Sequence, residues 1–359
     1  MRKFALVICA SWSSLFIGCS DDGSMQNVDL DESAFLANMS SNIILPAYKD
    51  FADKTEALNQ SVAAFSTDIT AENLQDLKLK LKEARLSWQS CNLFAFGPAS
   101  DLALTSEANI FPVDQTQIER NIETGSYDLG TISNNDTKGL PGIAYLIYGE
   151  SLTETEAIEN FTTDLFASNR IEYLEKLSER LAEKSKAVGD QWETSYQDQF
   201  TNSFGTSVGS AASLFFNAMI MTYERNFRDG KIGIPAGVRS LGETIPTSVE
   251  AYHGGYSLEL AKANLRQFKS VFNGNESAGL DDYLDAYGNT DLGTEVNEKF
   301  DAVASGFENL TDPLSSQIET DNASVESVFI SMQDLVNLLK TDVASQLSIS
   351  ISFIDTDGD

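Results

Sequence analysis

Between residues 71 and 95, apolar side chains recur at Leu74, Leu77, Leu81, Ala84, Trp88 and Cys91. Steps of three and four residues lay all six along one stripe of an α-helix, a spacing that a strand of period two cannot use. The same rhythm returns at Leu174, Leu177, Leu181, Val188 and Trp192, and again at Val325, Val328, Met332, Leu335 and Leu339. Further helices are expected over 31–67, with a kink or break at Pro46, and over 154–168, 170–203, 207–228, 256–272, 294–309 and 314–347. Such a set, with no βαβ alternation, predicts an all-α protein built as helical bundles.

The punctuation between helices carries as much information as the stripes. Thr70 suits the N-cap of the 71–95 helix, and Gly97-Pro98 stops it. Pro141 suits the first turn of a helix that Gly149 closes. Roughly 40 residues separate these two helices, far beyond an ordinary loop, so the excursion is functional or carries structure of its own. A second helix–loop–helix excursion falls at 230–250, where KIGIPAGVRSLGETIP is too rich in glycine and proline for a continuous helix and Gly230 is placed to cap the helix before it. The recurrence hints at duplication, with halves at 31–205 and 206–359, although no sequence repeat aligns between them. GNESAGLDDYLDAYGNTDLG reads as a loop, and the tail SISISFIDTDGD alternates like a short strand before turning acidic.

Residues 1–18 have the layout of a lipoprotein signal peptide: Met1-Arg2-Lys3, an apolar run to Ile17, and Phe16-Ile17-Gly18-Cys19 as a lipobox. Cleavage before Cys19 would leave that cysteine acylated, with 19–30 as an acidic tether and the chain held at the cell envelope as an outer-membrane lipoprotein, facing the periplasm or the exterior. Loss of Arg2 and Lys3 takes the formal charge from −30 to −32. A surface this acidic repels nucleic acid and favours cations or basic partners, and it serves equally as a solubility device, the commoner reason for scattered Asp and Glu. Of three cysteines, Cys9 leaves with the signal and Cys19 is acylated, so Cys91 has no disulfide partner.

WQSCNLFAFGPASD (88–101), NIFPVD (109–114), KGLPGIAYLIYG (138–149) and KIGIPAG (231–237) complete the pattern. In FGP, FPVD, GLPGIAYLIYG and KIGIPAG, taken in this order, the chain resembles imelysin-like proteins, a bacterial envelope family that includes iron-regulated proteins and proposed peptidases. The resemblance implies two related helical bundles side by side, with a functional cleft between them. It also implies a GxHxxE motif, in which a helix presents histidine and glutamate one turn apart to a metal or polar ligand. In this chain the glycine is Gly139, but the histidine position is Pro141 and the glutamate position is Ala144. Neither can bind a metal or transfer a proton. A related branch reading GLPALEYL shares the proline, while the loss of the glutamate goes further.

The oxygen donors that the resemblance leaves near the motif are Asp114, Tyr145, Tyr148 and Glu150, suited to ferric iron or another hard cation. Tyr145 and Tyr148 serve core packing equally well at i, i+3, and Asp114 serves equally as an N-cap. Arg225 and Lys231 could hold a carboxylate or a siderophore-like chelate. The alternative is a buried Glu224–Arg225 bridge with a lysine at a helix end. His253, the one histidine, is expected to hydrogen-bond or face solvent beside Gly254-Gly255. Asp355–Asp359 resembles the opening of a calcium loop but stops before the later ligands. No catalytic residue is assigned. The expectation is a lipid-anchored protein that binds a metal ion or chelate, or serves an iron-uptake receptor in the outer membrane. The alternatives are a metal-dependent peptidase and an interaction module that docks such a receptor.

Replacing Cys19 by serine is expected to move the protein from the membrane pellet to the soluble fraction and to abolish labelling by a palmitate analogue. A variant that still labels and still pellets would remove the anchor.

Overall fold

The computed structural model describes residues 31–353; the signal peptide, the tether with Cys19 and the acidic ending lie outside the described residues. Helices α1 (Glu32–Asn38) and α2 (Leu45–Thr67) flank a π-helical stretch, Met39–Ile44. Pro46 therefore sits where the π-helical stretch passes into α2, and the helical run continues through it without a break. Helix α3 (Ala71–Cys91) starts on the Thr70 hydroxyl, which accepts from the Asn73 amide at 3.3 Å. All six residues of its expected apolar stripe are buried.

The long excursion is ordered by short helices, Pro98–Asp101 and Leu104–Ala108, then α4 (Gln115–Thr124) and a 3-10 turn, Ile132–Thr137. Glu107 pins it: buried Lys138 Nζ donates to its Oε1 at 3.1 Å, and Arg180 grips both oxygens at 2.5 and 2.8 Å. Burial opposes ionisation here, but the hydrogen bonds from Arg180 and Lys138 outweigh it and hold the carboxyl below its ordinary range. Helix α5 (Gly139–Tyr148) begins directly after Lys138, and Arg180 belongs to α6 (Ala167–Gln191).

Helix α2 packs along both α3 and α6, and α5 lies on α3 and α6. In the second half, α7 (Ala211–Met221) runs into a π-helix, Thr222–Gly233, followed by α8 (Ser257–Phe272), α9 (Thr290–Phe307) and α10 (Asn322–Leu338). Helix α9 packs on α8 and α10, α10 packs on the π-helix, and α8 lies against α3. The main apolar core runs from Phe35 to Ile349, and a small second one gathers Ala251, Tyr256 and Leu260. Among the described residues there is no strand, so the fold is an all-α helical bundle.

Four local expectations change. Gly230 does not cap a helix, because the π-helix carries the chain past it to Gly233, with Ile234 N bonding Asp229 O at 2.8 Å. The 314–347 helix is broken at Asp321, whose carboxylate caps α10. Part of the expected loop before α9 is a helix, Leu280–Ala286. The described tail is irregular rather than a strand: the Asn217 side chain donates to Ser350 O at 3.1 Å and accepts from Ser352 N at 2.7 Å, a pairing that one side chain supplies.

Gly139 has φ +66°, and a Cβ there would come within 2.4 Å of Ala108 O and 2.6 Å of Glu107 O. Gly209 has φ +92° with nothing within 4 Å. Gly209→Ala is expected to cost roughly 1–3 kcal/mol of backbone strain. Gly139→Ala should lower Tm several-fold more, because backbone must also move. Similar shifts in the two variants would show that the contact at Gly139 is not tight.

Candidate functional site

Three adjoining cavities mark one side of the molecule where the two excursions meet. The central one, about 420 Å³, is lined by Arg85, Pro141, Glu150 and His253 together with the 111–116 turn and the 247–252 segment. It shares Glu150, Thr247, Tyr252 and His253 with a second cavity of about 420 Å³. It shares Phe111 and Pro112 with a third, of about 260 Å³, where Arg225 and Lys231 line the wall.

The floor beneath is a polar network seated on one face of α3. Arg85, Gln89 and Asn92 follow one another at i, i+4 and i+7, so they share a helix face. Arg85 and Gln89 are essentially without solvent exposure. Gln89 Oε1 accepts from Lys231 Nζ at 2.7 Å, and Gln89 Nε2 donates to Glu250 Oε1 at 3.1 Å. Asn109 donates to the same carboxylate oxygen at 2.8 Å, and Lys231 pairs with Glu250 Oε2. Asn264, from α8, donates to Gln89 O at 2.8 Å and to Asn92 Oδ1 at 3.0 Å. Burial raises the cost of the Glu250 charge, but the Lys231 charge and hydrogen bond outweigh it and keep the carboxyl below its ordinary range.

Arg85 is placed differently. Nη1 donates to His253 O and Tyr256 Oη at 3.3 Å each, and Nη2 to Leu140 O at 3.4 Å. All three acceptors are neutral, all three bonds are long, and its Nε is buried without a partner. His253 lines the same cavity as Pro141. Its Nδ1 lies 2.5 Å from Gly149 O, so Nδ1 carries the proton and Nε2 keeps its lone pair. The ring packs edge-on against Tyr145 and Tyr252, with centroids at 5.4 and 5.2 Å.

The residues expected from sequence divide around this cleft. Pro141 lines it, whereas Ala144 is fully buried and lines none of the three cavities. Asp114 lines the central cavity while capping α4, with Oδ1 accepting from Gln117 N at 2.9 Å. Glu150 is exposed at the mouth. Tyr145 donates to Glu119 Oε1 at 2.9 Å, an oxygen that Arg170 also holds at 3.0 Å. Burial pushes the Tyr148 phenol up to about 12, and burial with the Glu119 charge pushes Tyr145 higher, so both stay protonated near neutrality. Glu224 is fully buried, lines none of the three cavities, and pairs with Lys340 at 3.1 Å and Arg228 at 3.7 Å. Arg225 faces the third cavity and lies over the Phe353 ring at 5.6 Å. Lys231 lines it too, with its ammonium committed to Glu250 and Gln89.

Sequence reasoning missed Arg85, Gln89, Asn109, Glu250 and the inward place of His253. The i, i+4, i+7 polar face beside the apolar stripe of α3 was the available signal, and it resembles an exposed face until α8 covers it.

A family model described as Imelysin (Peptidase M75) matches residues 44–341. An iron-regulated protein A of Synechococcus elongatus is 22% identical over 169 residues, 46% of this chain and 45% of that protein, so the match spans less than half of the curated relative. A solved structure from Parabacteroides distasonis, assigned as an iron-regulated protein A precursor, superposes with a TM-score of 0.72 at 21% identity, covering 88% of this chain and 95% of that one. An imelysin-like protein from Psychrobacter arcticum superposes with a TM-score of 0.71 at 16% identity, covering 90% and 97%.

Burial, with Arg85 nearby, lowers the His253 pKa below the ordinary imidazole value even though Gly149 O favours the charged form. The unfolded chain then binds a proton that the folded chain refuses. Stability from this group is therefore fully present above about pH 6.5 and falls as pH drops toward the folded pKa. As the chain holds a single histidine, its Cε1–H resonance should titrate cleanly with a midpoint below 6.5. His253→Gln should flatten the stability slope in that window. A midpoint at or above the ordinary value would mean that the ring is solvated.

Proposed function

The chain belongs to the imelysin family, and on that premise we propose that it is a lipid-anchored envelope protein whose cleft binds an iron species without turning it over. The observation that carries this reading is the pairing of a retained cleft with the side chains at its motif. Pro141 lines the cavity where the family motif has histidine, and the glutamate position is Ala144, an apolar residue of the core. Hydrolysis needs a metal-bound or base-activated water, and neither position supplies one. The iron part of the proposal is supported by the relatives named for iron regulation.

The donor set narrows the form of iron. Among the described residues no three His, Cys, Asp or Glu side chains converge as a metal shell. Tyr145 spends its proton on Glu119, and Lys231 neutralises Glu250. A bare cation therefore lacks its coordination sphere here, and the reading is of iron that arrives with ligands of its own, as a chelate seated in the cleft. The acidic surface and the anchor at Cys19 fit a role as an accessory to an outer-membrane uptake receptor.

Equilibrium dialysis of the mature chain against ferric citrate, ferrous iron, haem and calcium should show uptake of a chelated iron form and little of free ferrous iron or calcium. Casein and insulin chains should remain intact with or without added zinc. Chelator-sensitive cleavage would favour the peptidase. Indifference to every iron form, with expression unchanged by iron supply, would remove the role.

A further inference from the structure

The cleft floor carries more positive charge than it neutralises. Arg85, Lys231 and Glu250 are each almost wholly buried, and the single carboxylate is committed to Lys231, Gln89 and Asn109. No carboxylate lies within ion-pair distance of Arg85 among the described residues. A guanidinium has five N–H donors; Arg85 makes three hydrogen bonds, all long and all to neutral oxygens, and its guanidinium lies 5.6 Å from the Tyr256 ring centroid. Nε is buried without a partner, although the side chain lines the cavity. An unpaired buried cation is costly, and it is tolerated where a ligand completes it.

We propose that Arg85 is the anchor for a carboxylate group on the small molecule that occupies this cleft. The planar fork of a guanidinium matches a carboxylate in a two-bond grip. The wall mixes apolar side chains, Phe111, Val113, Pro141 and Val249, with neutral polar ones, Gln115, Thr116 and Thr247, and Arg85 is its one permanent cation. A single guanidinium fork satisfies one carboxylate, whereas a phosphate dianion gathers several cationic groups. At the mouth, Glu150 and Asp114 are exposed and acidic. The polarity is thus cationic inside and anionic outside, which orients a ligand with its carboxylate inward and its neutral, cationic or metal-bearing end outward. The inference rests on the cleft being a binding site, as proposed above, but not on iron.

The test titrates succinate, citrate, inorganic phosphate and ferric citrate into the mature chain, read by calorimetry and by the His253 Cε1–H resonance in the same cavity. Carboxylates are expected to bind without metal, and more tightly than phosphate. Arg85→Gln, checked for a cooperative melt, should weaken them at least about tenfold, the loss of one charge-assisted contact. Arg85→Lys should fall between the parent and Arg85→Gln, since the charge is kept and the fork is lost. Should Arg85→Gln fail to fold, Val113→Glu leaves the arginine in place and supplies a tethered carboxylate from the cavity wall; it should weaken the same ligands equally. Metal-free carboxylates binding through Arg85 while iron adds nothing would uphold this inference and remove the iron role. Ferric citrate binding equally to parent and Arg85→Gln would do the reverse. Silence toward every carboxylate, or a preference for phosphate, overturns the anchor.

Discussion

The cleft depends on one helix face being polar where it is covered. Helix α3 buries Leu74, Leu77, Leu81, Ala84, Trp88 and Cys91 along one stripe, and beside it presents Arg85, Gln89 and Asn92 to the second half of the chain. A buried ion pair such as Lys231–Glu250 adds little net stability over an apolar isostere, yet removing one partner typically costs about 3–5 kcal/mol. Gln89 makes that asymmetry into a tether, because it bonds both members of the pair while its own carbonyl accepts from Asn264 of α8. Sliding α8 along α3 would strand several buried polar groups at once. The register between the halves is fixed by what must remain satisfied.

The same logic explains how the excursion is shaped. Its residues cannot form one continuous helix, so its backbone groups are satisfied by short helical turns and its position is set by Glu107. That carboxylate joins Lys138, at the start of α5, to Arg180 of α6. Gly139 then passes so close to Ala108 O that a side chain has no room. The glycine that the sequence marks as the first residue of a motif is thus required by backbone packing whether or not the rest of the motif survives.

Much of this was legible beforehand, and the failures have physical causes. The apolar stripes placed the helices, Thr70 and Asp114 took their caps, and Pro141 took its first turn. Gly230 misled because a π-helical register admits an extra residue per turn and lets the chain run on to Gly233. The Ser-Ile alternation at 348–352 looked like a strand, but no second strand lies beside it among the described residues, and Asn217 supplies the pairing instead. Arg85 and Gln89 were invisible as site residues because a helix face shows its polarity in sequence and its burial only after a partner packs on it. Glu250 and Asn109 come from the two excursions, and no spacing rule connects residues 141 apart.

His253 shows what remains of the site's chemistry. The family motif sets its imidazole on the helix that here begins at Gly139, one turn from a carboxylate that can share or accept a proton. This chain has proline there, and its one imidazole comes from the turn between the second excursion and α8, with Nδ1 occupied by Gly149 O and the ring held between Tyr145 and Tyr252. Burial disfavours its charged form, and the neighbouring Arg85 pushes the same way. A neutral ring with one free lone pair can accept a hydrogen bond from a ligand, but as an acid it has no proton to give near neutrality. Acceptor at the wall and buried cation at the floor suit the proposed binding of a polar molecule in one orientation.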